Sequence, residues 1–128
     1  MRKKTIFALP ALAYALLIGG EAQAHPRLMT TYPSANSGVR ATNRVTLSFS
    51  ERLMGPMSGA DVLMTGHPGK PHHAPLKMAG FKTSVSGDGK TLQLVSQRAL
   101  PAGSYRVQWH VVAADTHRAT GAFAFMVK

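Results

Sequence analysis

Val45-Thr46-Leu47-Ser48-Phe49 and Tyr105-Arg106-Val107-Gln108-Trp109-His110-Val111 alternate apolar and polar side chains residue by residue. Successive side chains of an extended backbone point to opposite faces. Val45, Leu47 and Phe49 therefore share one face, as do Tyr105, Val107, Trp109 and Val111, while His110 points the other way. A period of two with one apolar face is the pattern of a strand half-buried on a core. The same pattern places Leu92 and Leu94 together within Thr91 to Val95, and Phe123, Phe125 and Val127 together within Gly121 to Val127. Asp61 to Thr65 and Gly80 to Val85 carry it less clearly, and Leu28 to Tyr32 suits an opening edge strand, which makes about seven strands in all.

The punctuation between these runs leaves little room for helix. Pro33, Asn36, Gly38, Asn43, Gly55-Pro56, Gly80, Gly87 to Gly89 and Pro101 to Gly103 recur too often for a helix of ordinary length. Only Ser50 to Gly59 is able to form a helical turn, with Glu51 near its start and Pro56 ending it. Gly66 to Pro75 contains His67, His72 and His73 among three prolines and reads as an exposed loop. Short strands without helical crossovers predict an all-β domain, a two-sheet sandwich or Greek-key barrel. No internal repeat is present.

The first 24 residues read differently from the rest. Arg2, Lys3 and Lys4 precede an apolar run from Ile6 to Ile18, and Ala22-Gln23-Ala24 supplies the small residues that a signal peptidase recognises. The apolar run is shorter than the roughly 20 residues needed to span a bilayer. Residues 1–24 are thus expected to be a signal peptide cleaved before His25, leaving one domain, 25–128, of 104 residues (128 minus 24). Of the 15 basic and 5 acidic residues, this removes three and one, so the mature formal charge is +8 (12 minus 4). The basic residues are scattered, without the clustering or aromatic interleaving of a nucleic-acid surface, and no nucleic-acid partner is expected. Cysteine is absent, so neither a disulfide nor a thiolate zinc site is available. A monomer is the default expectation.

Cleavage before His25 creates chemistry that the precursor lacks. The new α-amine stands beside the His25 imidazole, and the two nitrogens can close one chelate ring on a metal ion. Proline has no backbone N–H, so Pro26 prevents the next amide from joining and limits the terminus to two nitrogens. Such a pair suits a tetragonal Cu(II) centre completed by imidazole or carboxylate. The best supplier is Ala114-Asp115-Thr116-His117, where an i, i+2 pair in extended backbone would aim Asp115 and His117 the same way.

The chain at this point resembles the CopC family of periplasmic copper-binding proteins over nearly all of the mature sequence. The matching segments are His25-Pro26-Arg27-Leu28, Tyr32-Pro33, Leu47-Ser48-Phe49-Ser50-Glu51, Ser58-Gly59-Ala60, Tyr105 to Trp109, and Ala114-Asp115-Thr116-His117 with Thr120-Gly121. The resemblance implies a seven-stranded, cupredoxin-like or immunoglobulin-like β-barrel in the periplasm. It also implies a Cu(II) site made of the terminal amine, His25, Asp115 and His117, with Glu51 orienting an imidazole. The competing reading of Glu51 is an acidic residue at the start of a short helical turn. An inner-membrane copper transporter of the CopD kind is the implied partner.

The family's second signature is a methionine-rich loop for Cu(I), whose soft thioethers suit that ion. The corresponding segment here, Met64 to Leu76, keeps only Met64, with His67 and Lys70 standing where methionine is expected. A family-type Cu(I) site is therefore not expected, and Met64, His67 and His73, with His72 nearby, make at most a weak second site. Met54 and Met57 lie three apart and could contribute thioethers, but flexible methionines are more often core filler, and Met29, Met78 and Met126 read as structural.

Two other functions compete with a copper carrier. A terminal histidine chelating copper is also the device of lytic polysaccharide monooxygenases, which pair it with a second histidine; the anionic Asp115 argues against such redox cycling. A basic immunoglobulin-like adhesion module without metal leaves Pro26, Asp115 and His117 unexplained.

Overall fold

The computed structural model describes residues 25–128; the expected signal peptide, 1–24, lies outside the described residues. Nine strands follow in order: β1 Leu28–Tyr32, β2 Gly38–Val39, β3 Arg44–Phe49, β4 Gly59–Gly66, β5 Leu76–Lys77, β6 Lys82–Val85, β7 Thr91–Val95, β8 Gly103–Val112 and β9 Arg118–Val127. They form two sheets, β1-β3-β7-β6 and β2-β9-β8-β4-β5, and every named pairing is antiparallel except β2 with β9. The expectation of an all-β two-sheet sandwich holds.

Seven of the nine strands fall where alternation placed them, and two do not appear in that reading. β2 and β5 have two residues each, too few to show a period, and they exist because β9 and β4 offer them a partner edge. β9 starts at Arg118, ahead of the expected Gly121, because it pairs with β8 without a break from Val112↔Arg118 to Gly103↔Val127. The expected helical turn is confined to a 3₁₀ turn at Gly55–Met57. Pro56 lies at the front of that turn, where its missing N–H costs nothing, and so begins it instead of ending it.

The alternating faces meet between the sheets. Val45, Leu47 and Phe49 from β3, Leu92 and Leu94 from β7, Val62 and Met64 from β4, Tyr105, Val107 and Trp109 from β8, and Phe123, Phe125 and Val127 from β9 form one buried cluster. The methionines split. Met64 is core and Met78 packs against it, whereas Met29, Met57 and Met126 are exposed, which corrects the reading of Met57 as core filler and of Met29 and Met126 as structural.

Trp109 explains the Thr120-Gly121 segment. The two residues Trp109 and Gly121 are directly paired across β8 and β9, and a Cβ at position 121 would collide with the indole ring. Glycine lets the indole lie flat over the strand, where it meets Phe49 edge-on at 5.1 Å between ring centres.

Tyr105 anchors the far end of β8, its hydroxyl donating to the Pro101 carbonyl at 2.6 Å. Burial pushes this phenol up to about 12. A folded-state value above the unfolded one, about 10, means that the neutral phenol's contribution is full below pH 10 and is lost as pH rises through about 12. Tyr105→Phe is expected to cost about 1 kcal/mol at pH 8, and the gap to the parent should narrow above pH 10. Urea unfolding of both proteins at pH 8 and pH 11 checks this; an unchanged gap would remove the assignment.

Candidate metal centre

β8 ends at Val112 and β9 begins at Arg118, so Asp115 and His117 sit on the hairpin between them. This turn is tight, not extended as expected. Thr116 N–H donates to the Ala113 carbonyl at 2.7 Å and Ala113 N–H to the His117 carbonyl at 2.8 Å. Thr116 takes φ 77°, a left-handed conformation unusual for a β-branched residue and of the kind found at ligand-bearing turns. Asp115 and His117 do meet, but because the chain curls: His117 N–H donates to Asp115 Oδ1 at 3.0 Å.

His25 reaches this hairpin by way of the segment Ser50–Met54. Arg27 N–H donates to Ser50 Oγ and Ser50 N–H donates to the Arg27 carbonyl, both at 2.9 Å. At the other end, Ala114 N–H donates to the Arg52 carbonyl and Met54 N–H to the Val112 carbonyl, both at 2.8 Å, with Leu53 bridged to Ala113. One short strut thus holds the entering chain and the hairpin at once. Pro26 is buried beside it. The outcome is that the His25 and His117 rings stand edge to face, 5.3 Å between centres. Two imidazoles on one ion, with metal–nitrogen distances of about 2.0–2.1 Å, have ring centres roughly 5 Å apart.

Electrostatics favour a cation here. The His117 N–H, and after it the adjacent imidazole, hold the Asp115 carboxyl below the usual carboxylate range, so it stays anionic in mildly acidic solution. Nδ1 of His117 lies 2.9 Å from Asp115 Oδ2. The nitrogen is buried, with no other polar partner among the described residues. A ring nitrogen and a carboxylate oxygen held this close suit two donors to a shared ion. Imidazole and carboxylate are the donors that a Cu(II) ion accepts.

The assembly is not a finished cage. Among the described residues no three His, Asp or Glu side chains are gathered as a metal-binding group. An α-amine at His25, which would exist only after cleavage of the bond to residue 24, would add a further donor.

Glu51 is half-buried on the strut, and among the described residues its carboxylate makes no hydrogen bond or ion pair. The alternative role at a helical N-terminus is removed, because the 3₁₀ turn starts only at Gly55 and has no acidic residue in its first turn. Sequence reasoning passed over Ser50 and Ser58, both of which sit in motif segments. Ser58 Oγ accepts Val112 N–H at 3.1 Å in a buried position, and thereby ties β4's approach to the end of β8. Gly59 leaves room for the outward-facing His110, 3.3 Å from where a Cβ would stand.

The second candidate set divides. Met64 is 7% exposed and belongs to the core, so it is withdrawn from the loop. His67 and His73 are adjacent, 5.3 Å between ring centres.

A family model described as the CopC domain matches residues 28–128. The chain belongs to the CopC family. Its relatives carry the likeness over nearly their whole length. It is 40% identical to copper resistance protein C of Escherichia coli over 121 residues, 89% of this chain and 95% of that one. It is also 40% identical to copper resistance protein C of Pseudomonas syringae pv. tomato over 118 residues, 91% of this chain and 90% of the relative. Among solved structures, PcoC from Escherichia coli, described as a methionine-rich copper resistance protein, superposes with a TM-score of 0.74 at 41% identity, covering 82% of this chain and all of that one (100%). CopC from Methylosinus trichosporium OB3b, at 24% identity, TM-score 0.63, 81% of this chain and 94% of that one, shares the fold. The matched CopC segment starts at Leu28, so His25 lies ahead of it.

Proposed function

We propose that this chain is a periplasmic copper-binding protein of copper resistance, processed before His25, that holds Cu(II) through the terminal amine and imidazole of His25 together with Asp115 and His117. The observation that carries the reading is the strut Ser50–Met54, which brings His25 and His117 to 5.3 Å with the Asp115 carboxylate 2.9 Å from His117 Nδ1. Family membership and the copper resistance names of its relatives support copper as the metal. All donors come from one chain, so a monomer suffices. In this reading Glu51, on the same strut, is the acidic group that would orient an imidazole once the ion is bound. An inner-membrane transporter of the CopD kind would receive or supply the ion.

The role is binding and carriage, not catalysis. An anionic donor such as Asp115 stabilises Cu(II) over Cu(I), whereas a monooxygenase must cycle between them. Cu(II) titration of the 25–128 protein, with electron paramagnetic resonance at one equivalent, tests the reading. A nitrogen-rich tetragonal signal that His25→Ala loses supports it. Tight binding indifferent to His25 overturns it.

A further inference from the structure

His67 and His73 lie at opposite ends of the loop that follows β4, with ring centres 5.3 Å apart and ring planes tilted by 44°. Backbone contacts build this proximity. A Cβ on Gly66 would collide with the Pro71 carbonyl, so the returning chain lies directly against the glycine. His67 and Lys70 exchange backbone hydrogen bonds of 2.9 and 2.8 Å, and His73 N–H donates to the Thr65 carbonyl at 2.9 Å. The loop is thereby closed on itself before its side chains play any part.

The ring nitrogens are disposed for a ligand. His73 Nδ1 lies 2.8 Å from the Ala74 carbonyl, which places the ring proton on Nδ1 and leaves the Nε2 lone pair free. Donation of one ring N–H to a backbone carbonyl is how metal-bound histidines are oriented. His67 Nδ1 accepts only a long 3.3 Å bond from Gly69 N–H, so this ring exchanges its tautomer at little cost. The spacing between rings again matches two imidazoles on one tetrahedral ion, roughly 5 Å.

We propose that His67 and His73 form a second cation site, separate from the His25 centre, that takes a borderline divalent ion, Zn(II) or Cu(II), with water completing its coordination. This is different chemistry from a thioether loop for Cu(I). The loop's Met64 is turned into the core, and imidazole suits zinc and divalent copper. Two protein donors, with the Lys70 ammonium on the same turn, make the site weaker than the first. It requires neither processing at His25 nor the Asp115 hairpin.

Zn(II) titration by calorimetry, using the His117→Ala protein so that the first centre is disabled, tests this directly. One equivalent is expected to bind, shifting the His67 and His73 ring resonances together in NMR spectra. His67→Ala or His73→Ala, added to that background, should lower the affinity by roughly tenfold or more, as loss of one of two anchors requires. Both residues lie outside the core, so neither change should disturb folding. Absence of Zn(II) binding, binding that leaves those resonances still, or affinity unchanged in both variants would each overturn the site. Because the first centre is absent throughout, failure here leaves the His25 reading standing.

Discussion

Adding a single residue before His25 of the processed chain is expected to weaken Cu(II) binding by about 100-fold, or about 2.8 kcal/mol at about 1.4 kcal/mol per tenfold. The extension removes no side chain. It converts the α-amine of His25 into an amide and displaces the new amine from the imidazole, so the chelate ring is lost while the His25 and His117 rings remain held by the strut. The Arg27–Ser50 pair of hydrogen bonds should keep the entering chain in place, so thermal stability without metal should be unchanged. Competition titration against a chelator of known affinity, on 25–128 with and without the extra residue, gives the comparison. Equal affinities would mean that the terminus contributes only its imidazole.

Gly121→Val carries the largest expected effect on folding. Any Cβ at this position meets the Trp109 ring at less than van der Waals distance, and β-branching makes the contact worse. The indole cannot simply withdraw, because it is packed edge-on against Phe49 and sits in the core with Val107 and Phe123. Overpacking of this kind costs about 2 kcal/mol, which lowers Tm on the order of 10 °C in a domain near 100 residues. Thermal unfolding followed by tryptophan fluorescence reads both the stability and the indole's environment. Phe49 directly precedes Ser50, so Cu(II) affinity should fall as well, by less than in the extended chain. A variant as stable as the parent would show that β9 has slack opposite Trp109.

The strands were legible where alternation ran long enough to show a period. Alternation predicts Thr91 to Val95 to the residue, and β3, β8 and β9 in all but their ends. Ends are set by pairing, which the partner strand supplies: β9 gains Arg118 to Thr120 because β8 extends to Val112. Gly38–Val39 and Leu76–Lys77 had no such signal. The candidate donors were legible for a different reason. An amino-terminal histidine before proline and an Asp-x-His segment are chemical facts about the chain, independent of its folding. Spacing predicts that Asp115 and His117 meet across extended backbone, whereas they meet through a left-handed turn at Thr116.

The sequence alone therefore determined the class of fold and the inventory of donors, because periodicity and side-chain chemistry are local properties. Only the tertiary structure decided which donors meet. Ser50, through Arg27, and Arg52 to Met54, through the β8–β9 hairpin, bring together residues about 90 positions apart in the chain. Met64 and His67, three positions apart, were separated instead, because one side chain of β4 faces the core and the loop beyond it faces solvent. Long-range hydrogen bonds and burial set those distances, and no local pattern encodes them.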